Sequence, residues 1–352
     1  MSHHVTLQPS GHTFEVPDGQ TVLGAGLAAG WNLPYSCRLG MCRSCRARIL
    51  DGRIEYGEHF THVLTPEMKA HGFALLCSAS PLSDLVVEVA ELSLQAQKPK
   101  IVPCRVKRIA RPSPDIAILD LRLPQNENMR FAAGQYVDIL REGKRRAYSI
   151  ATCPRPEGVI DIQLHVRHTP GGLFTDHVFA TMKEGELLKF EGPLGTFTLR
   201  EDSDKPIILL ASGTGFAPIK AIIEHAFTRN IARPMTLYWG CRTRADLYMT
   251  DLPARWAQTV RGFAFVPVLS DAPASDQWNG RTGLVHRAVM ADIADLAGHQ
   301  VYASGSPLMV DAARADFVQR NGLPEAEFFA DAFVTEAERA QSTQTAQAAA
   351  PA

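Results

Sequence analysis

The sequence lacks a long apolar run, a large charge excess and an apolar segment near its start. No stretch approaches the roughly 18 apolar residues that a membrane span needs, and Met1–His4 is not followed by a signal-like segment. The net charge of −1 argues against nucleic acid as the main partner. We therefore expect a cytoplasmic protein with no membrane or nucleic-acid partner.

Cysteine is scarce enough for each residue to be considered separately. Of the 7 cysteines, Cys104, Cys153 and Cys241 show no regular spacing, so we expect free thiols in a reducing compartment. The chain of 352 residues is 45% hydrophobic and 21% charged, which is typical of a globular protein with two or three domains.

The other four cysteines form the most specific pattern in the chain. Cys37, Cys42 and Cys45 follow the spacing C-x4-C-x2-C, and Cys77 comes after 31 intervening residues. This is the plant-type [2Fe–2S] spacing, in which a short loop supplies three thiolates and a distant segment the fourth. Gly40 lets the loop turn its amides towards the sulfurs. A structural zinc site is the less favoured alternative, because zinc sites more often use two C-x2-C pairs.

Residues 1–92 resemble a plant-type ferredoxin domain. Strands are predicted at 5–7 and 13–16, a helix capped by Thr21 and ended by Gly30 follows, and a later strand covers 85–89. The resemblance implies a β-grasp ferredoxin fold in which Cys37, Cys42, Cys45 and Cys77 hold the cluster.

The rest of the chain, from residue 93 onwards, divides into segments that differ in their hydrophobic periodicity. Residues 93–102 are polar and lose the pattern, which predicts a linker. Between 103 and 200, strands at about ten-residue intervals predict an antiparallel barrel, with strands at 105–109, 116–123, 135–140, 146–150 and 160–166. Between 201 and 334, buried strands alternate with helices and predict a doubly wound α/β domain, with strands at 207–211, 235–239, 263–269, 300–303 and 327–330. The tail, 335–352, is predicted to be disordered.

The tetrapeptide Arg146–Ser149 is similar to the R-x-Y-S flavin motif of the ferredoxin–NADP reductase superfamily, and the resemblance covers about residues 103–333. It implies an antiparallel six-stranded FAD-binding β-barrel and a doubly wound parallel-sheet NAD-binding domain. Arg146 would bind a flavin phosphate, Tyr148 would stack on the isoalloxazine, and Ser149 would bond near its reactive N5. The tetrapeptide alone is also compatible with Tyr148 being a core strand residue.

A glycine pair supports the flavin assignment. The strand through His165 and Val166 runs into Gly171-Gly172 and then a helix with Thr175. Backbone amides at such a helix start bind anions, and the resemblance assigns this one to the FAD pyrophosphate. The expected FAD-binding residues are Arg146, Tyr148, Ser149, His165, Val166, Gly171, Gly172 and Thr175.

Three further segments resemble the superfamily's nicotinamide site. The turn 212–218 has the form G-x-G-x-x-P, and 304–309 matches C-G-x-P-x-M except that Ser304 replaces the cysteine. Asp246 favours NADH over NADPH, although Arg242 and Arg244 could attract a 2′-phosphate. The expected nucleotide-binding residues are Gly213, Thr214, Gly215, Pro218, Gly240, Arg242, Asp246, Ser304, Gly305, Pro307 and Met309.

The resemblance also implies which residues take part in electron transfer. Phe333 either gates the flavin face or packs in the core. The expected catalytic residues are Tyr148, Ser149, Thr214, Ser304 and Phe333.

The order of ferredoxin, flavin barrel and nicotinamide domain resembles the reductase components of bacterial aromatic-ring dioxygenases, notably in segments 133–136, 165–172 and 213–220. It implies electron transfer from NADH through FAD and a [2Fe–2S] cluster to a Rieske-type terminal oxygenase. One alternative is a CDP-6-deoxyglucoseen reductase of deoxysugar biosynthesis, which has the same domain order. Another is a redox sensor or binding protein without turnover.

Four arginines surround the predicted cluster ligands: Arg38, Arg43, Arg46 and Arg48. They are either a solvated face or a basic rim that docks an acidic patch on the acceptor.

Overall fold

The structure is a computed structural model that describes residues 2–59, 61–92 and 98–334. The predicted tail and residues 93–97 of the predicted linker lie outside this range. The chain forms two compact units, one ending at Lys98 and the other spanning Pro99–Phe333. In the described part, no helix is both long and apolar enough to cross a membrane.

The first unit has the predicted β-grasp fold. Its mixed sheet has the order β2-β1-β7-β3-β5, with β1 parallel to β7, and β4 pairs with β6. Its elements are β1 (Ser2–Gln8), β2 (Thr13–Pro17), α1 (Val22–Ala28), β3 (Arg46–Asp51), β4 (Ile54–Tyr56), α2 (Pro66–Ala70), β5 (Phe73–Leu75), β6 (Ala79–Pro81) and β7 (Leu85–Glu88).

Local sequence explains how α1 begins and packs. The Thr21 hydroxyl accepts a hydrogen bond from the Gly24 amide at 3.2 Å, which caps the helix as predicted. Gly26 lets the sheet and the following loop approach α1, since a Cβ there would lie 2.6 Å from Leu33 Cδ1. Alternate residues of β1, Val5 and Leu7, complete this core.

The second unit begins with a six-stranded antiparallel barrel. The strand order is β11-β10-β13-β8-β9-β12, and a bridge between Ile150 and Leu164 joins the two ends. Its elements are β8 (Lys100–Ser113), β9 (Ile116–Arg122), β10 (Tyr136–Arg141), β11 (Lys144–Ser149), β12 (Asp161–Arg167), α3 (Leu173–Ala180) and β13 (Leu187–Leu194).

Strand β13 was not among the five barrel strands predicted from the sequence. Its pairing with β8 also shortens the linker that was predicted at 93–102. Residues 100–102 of that linker begin β8 because they pair with Phe190–Gly192 of β13. The alternation in β13 is incomplete, since Gly192-Pro193 interrupts its apolar residues. Pairing with a distant segment therefore makes β8 longer than its own sequence pattern predicts.

The rest of the second unit is the predicted doubly wound domain. All neighbouring strands are parallel in the order β17-β16-β15-β14-β18-β19. The connection direction reverses between β14 and β18, which is where such sheets bind ligands. The elements are β14 (Ile207–Ser212), α4 (Phe216–Thr228), β15 (Met235–Cys241), α5 (Asp251–Thr259), β16 (Phe263–Leu269), β17 (Arg281–Thr282), α6 (Val285–Asp292), β18 (Gln300–Gly305), α7 (Pro307–Arg320) and β19 (Phe328–Ala332).

Candidate functional site

The fold brings the four predicted cysteine ligands together. Cys37, Cys42 and Cys45 lie in the loop between α1 and β3, and Cys77 lies between β5 and β6. The loop donates backbone hydrogen bonds to their sulfurs, from Cys37 to Cys42 at 3.4 Å and from Gly40 to Cys77 at 3.3 Å. The amide of Leu39 donates to Cys37 Sγ at 3.4 Å. This is the amide arrangement expected around thiolates.

The thiols form two pairs. A hydrogen bond between the thiols of Cys37 and Cys42 lowers the pKa of Cys42 to about 6 and raises the pKa of Cys37. Likewise, the thiol of Cys45 lowers the pKa of Cys77, while its own pKa is raised. No group of three or more His, Cys, Asp or Glu side chains in the described ranges is arranged around one ion. Cys42 also interacts electrostatically with Cys45 and Cys77, so the four thiols form one group, as the four ligands of a [2Fe–2S] cluster must.

The arginines near these cysteines have different environments. Arg43 Nη2 donates to the carbonyl of His62, and Arg46 lies 5.4 Å from the ring centre of Phe73. Arg48 is exposed and forms no ion pair with any other described residue. Arg43 is thus a structural contact of the loop, whereas Arg48 is exposed to solvent.

The predicted flavin motif and the glycine pair come together in the barrel. Tyr148 on β11 lies 5.2 Å from Phe174 on α3, ring centre to ring centre. Burial raises the pKa of Tyr148 well above its usual value and the positive charge of Arg146 opposes that shift, so the phenol is neutral. Both segments thus contribute to one surface, as predicted.

The start of α3 suits the phosphate end of a flavin nucleotide. The helix has no side-chain cap, so its first amides are available to an anion. A Cβ at Gly172 would lie 2.5 Å from Thr175 Oγ1, and that hydroxyl donates to the carbonyl of Thr169 at 2.8 Å. Thr175 therefore stabilises the turn before α3 through its side-chain hydrogen bond. These residues fit FAD.

His165 links the barrel to the nucleotide-binding sheet. Its Nδ1 lies 2.6 Å from the hydroxyl of Tyr248, and Nε2 lies 3.0 Å from Gln163 Oε1. Burial, reinforced by the charge of Lys220, lowers the pKa of His165 to about 3, so the imidazole is neutral. The contact between Tyr248 and His165 was not predicted, because it joins segments that are distant in the chain. Val166 is a fully buried core residue of the barrel.

The two predicted nicotinamide turns interlock at the carboxyl end of the sheet. A Cβ at Gly215 would lie 2.1 Å from the carbonyl oxygen of Ser304, and one at Gly305 would lie 2.3 Å from Ser212 Oγ. The amide of Ser306 donates to the same Ser212 hydroxyl at 2.9 Å. Only glycines allow this approach, which explains both predicted glycine turns.

The other predicted nicotinamide residues lie around these turns. Thr214 is half-buried in the turn, and Pro218 is buried in the first part of α4. Gly240 lies next to the last residue of β15 and packs against Val285, since a Cβ there would lie 2.6 Å from Val285 Cβ. Pro307 begins α7, and Met309 is half-buried in its first turn.

Asp246 differs from the expected ribose-facing carboxylate. It accepts hydrogen bonds from the amide and hydroxyl of Thr243, at 2.9 and 3.1 Å, and pairs with Arg167 at 3.4 Å. Arg244 is also engaged, because its backbone amide donates to Asp276 Oδ2 and Nη1 to the Asp276 carbonyl. The T-x-x-D spacing of 243–246 is a capping signal that the sequence already contained. Arg242 is exposed beside a cleft of about 320 Å³.

Ser304 lies in β18, and Phe333 directly follows the adjacent strand, β19. Ser304 is fully buried, and its hydroxyl has no hydrogen-bond partner among the residues described. Phe333 follows β19, is half-buried, and donates its amide to the carbonyl of Gly305 at 2.8 Å. Asp331, which was not predicted, lies opposite Ser304 in the strand register and accepts a hydrogen bond from Ser149.

Comparison with known protein families follows the order of these three sites. A 2Fe-2S iron-sulfur cluster binding domain matches residues 5–82, an oxidoreductase FAD-binding domain matches residues 103–199, and an oxidoreductase NAD-binding domain matches residues 209–315. Together these matches span most of the chain.

Whole-chain relatives carry all three domains at once. The chain is 42% identical to the CDP-6-deoxy-L-threo-D-glycero-4-hexulose-3-dehydrase reductase of Yersinia pseudotuberculosis, over 95% of this chain and 99% of the relative. The chain belongs to this family of iron–sulfur flavoprotein reductases. It is also 34% identical to the reductase component 1 of terephthalate 1,2-dioxygenase from Comamonas sp, over 95% and 98% of the two chains. The Amycolatopsis cytochrome P450 reductase GcoB has a TM-score of 0.77 and 33% identity, covering 95% and 99%.

As a member of this reductase family, the protein is an NAD(P)H-dependent oxidoreductase. It uses FAD and a [2Fe–2S] cluster to transfer electrons. The family thus confirms the predicted cofactors and the predicted electron-transfer activity.

Proposed function

We propose that this reductase delivers electrons from NADH to the terminal oxygenase of a multicomponent system, specifically a Rieske-type aromatic-ring dioxygenase. The observation that carries the proposal is the recurrence of oxygenase reductases among whole-chain relatives. Reductase components for terephthalate, phenol and propane oxygenases match 95–97% of this chain at 31–34% identity. Because NADH is a cytoplasmic reductant and Cys104, Cys153 and Cys241, the cysteines outside the cluster site, form no disulfide, we place the protein in the cytoplasm.

The cysteines provide the exit for single electrons in this proposal. Cys37, Cys42 and Cys45 from the loop and Cys77 from the segment between β5 and β6 would hold the two irons. The amides of Leu39 and Gly40 donate to sulfur and stabilise the negative charge of the site.

The barrel residues would hold the flavin. Arg146 and the first amides of α3 would bind its phosphates, and Tyr148 would pack against its ring, a role that its position beside α3 supports. His165, being neutral and hydrogen-bonded to Tyr248, adds no charge to this environment. Ser149 would present its hydroxyl to the reactive edge of the ring. When bound, FAD supplies the conversion of a two-electron donor into single-electron steps.

The nicotinamide nucleotide would lie across the interlocked turns. Gly215 and Gly305 allow the two turns to pack together, and Gly213 gives the first turn its positive φ. Thr214 and Ser304 would place hydroxyls near the nicotinamide. Phe333 would cover the flavin face until the nucleotide enters. Its backbone bond to Gly305 supports this role by placing it beside the turn.

A second candidate acceptor is the dehydrase of a CDP-hexulose pathway. The 42% identity to the Yersinia reductase, against 34% for the terephthalate system, is the specific observation that favours it. Both candidates share the electron path up to the cluster and differ only in the protein that accepts the electron.

Electron delivery to purified acceptors tests the proposal. The protein, NADH and either a Rieske-type dioxygenase with its aromatic substrate or the CDP-hexulose dehydrase with its sugar nucleotide would be combined, and product formation measured. The proposal expects faster coupled turnover with the dioxygenase. If only the dehydrase supports turnover, the second candidate is the function. If NADH is not oxidised with any acceptor, a redox sensor without turnover is favoured. The acceptors encoded beside this chain are the most informative ones to use.

A further inference from the structure

A short segment, residues 57–59 together with 61 and 62, contacts both halves of the cysteine site; we call it the strap. It lies between β4 and α2, and residue 60 is outside the described part. The amide of Gly57 donates to the carbonyl of Ser78 at 2.8 Å, directly after Cys77. The same segment contacts the three-cysteine loop at Gly40 and Arg43. The strap therefore connects the loop with the fourth ligand.

The contact at Gly40 is too close for any other residue. A Cβ there would lie 2.5 Å from the carbonyl oxygen of Glu58 and 2.8 Å from Cα of His59. Gly40 also has a φ of +73°, which favours glycine. With the strap packed against it, the Gly40 amide donates to Cys77 Sγ at 3.3 Å. The strap thus supports a hydrogen bond that crosses from the three-cysteine loop to the distant cysteine.

The contact at Arg43 fixes the other end of the strap. Arg43 lies between Cys42 and Cys45, and its Nη2 donates to the carbonyl of His62. Its Nε is buried and has no acceptor within the described ranges. The positive φ of +62° is uncommon for an arginine, so the surrounding contacts must hold this conformation. A buried N–H donor without an acceptor among the described residues, such as Arg43 Nε beside the cysteines, would also stabilise an anionic cluster.

We propose that the strap is a two-sided clamp that holds the three-cysteine loop and the Cys77 segment in register, and thereby fixes the reduction potential of the cluster. Hydrogen bonds to the ligating sulfurs stabilise the additional electron, so loss of the Gly40 amide bond lowers the potential. Arg43 acts as a positioning residue, because it holds the strap without ligating metal. The inference concerns the cluster and does not depend on which protein accepts the electron.

The experiment compares Arg43→Gln with Arg48→Gln in the full-length holoprotein. Both substitutions remove one positive charge from the neighbourhood of the cysteines, but Arg48 is exposed and has no hydrogen bond or ion pair with the described residues of the strap. The readouts are the cluster midpoint potential from an EPR-monitored redox titration and the rate of iron release to a chelator. Arg43→Gln is expected to have the lower potential and to release iron about tenfold faster, the usual scale for losing a supporting contact around a metal site.

Gly40→Ala tests the other side of the clamp without any change of charge. It is expected to lower the cluster potential and alter the EPR line shape, while the flavin potential stays unchanged. If the Gly40→Ala variant takes up no cluster, the comparison of Arg43→Gln with Arg48→Gln tests the proposal by itself. Equal potentials and equal iron release in Arg43→Gln and Arg48→Gln would overturn the proposal.

Discussion

Ser149 of the flavin barrel donates a hydrogen bond to Asp331 of the parallel sheet, with 3.3 Å between Oγ and Oδ2. Both side chains are buried, at 6% and 5% exposure, so the bond is shielded from water. Asp331 also lies opposite Ser304 in the strand register. The flavin motif and the nicotinamide turn therefore meet at a buried carboxylate.

Asp331→Asn is expected to slow flavin reduction by NADH about tenfold. The substitution keeps the shape but removes the charge, and a hydrogen bond to a charged group contributes about 1.5–3 kcal/mol, of which part is lost. Stopped-flow absorbance of the flavin measures the rate. Ser149→Ala removes the same bond, so the double variant is expected to be no slower than the slower single variant. Fully additive losses would show that the two residues act independently.

His165 is expected to make stability pH-dependent. Its folded pKa of about 3 lies below the ordinary value of about 6.5, so the unfolded chain binds the proton more readily and the unfolding free energy falls as pH falls from 6.5 towards 3. Between pH 7 and pH 5 this group alone accounts for about 2 kcal/mol. Urea unfolding of the wild type and His165→Gln at both pH values measures the difference. Parallel losses in the two proteins would contradict the assignment.

Gly215→Ala is expected to destabilise the protein by about 1–3 kcal/mol and to raise KM for NADH. The reason is steric, because the new Cβ would lie 2.1 Å from the Ser304 carbonyl oxygen, which is backbone and cannot rotate away. Gly298→Ala is the matched control, because Gly298, like Gly215, has no positive φ, but no atom of a described residue lies within 4 Å of its Cβ position. Thermal unfolding and steady-state kinetics distinguish them. An unchanged KM in Gly215→Ala would remove this turn from the nucleotide site.

The cleft beside Arg242 is expected to favour NADH over NADPH by at least about tenfold in kcat/KM, since a 2′-phosphate would meet carboxylates there. The residues lining the cleft include Asp115, Asp246 and Asp271. Arg167 pairs with two of them, Asp115 and Asp246. Asp271→Ser is expected to narrow the preference without changing kcat for NADH. Comparing kcat/KM for the two nucleotides measures it, and an NADPH preference in the wild type would refute the expectation.

The sequence predicts most strands and all four cysteine ligands, because alternation and spacing are local signals. It does not reveal Asp331 as a site residue, or the contact of Tyr248 with His165, since both depend on segments that are distant in the chain. The strap has no motif for the same reason. Asp246 is a different case: its position after Thr243 indicates a cap, and the family resemblance drew attention to the ribose instead.

Anaerobic reduction of Cys77→Ser by NADH tests the central claim, that electrons leave through the cluster after passing the flavin. EPR would follow the cluster, absorbance the flavin, and cytochrome c would serve as the one-electron acceptor. We expect the wild type to show a reduced [2Fe–2S] signal and rapid cytochrome c reduction. We expect Cys77→Ser to bind FAD and to reduce it at the wild-type rate, but to lose the cluster signal and most cytochrome c reduction. Cytochrome c reduction at the wild-type rate without the cluster signal would contradict this electron path.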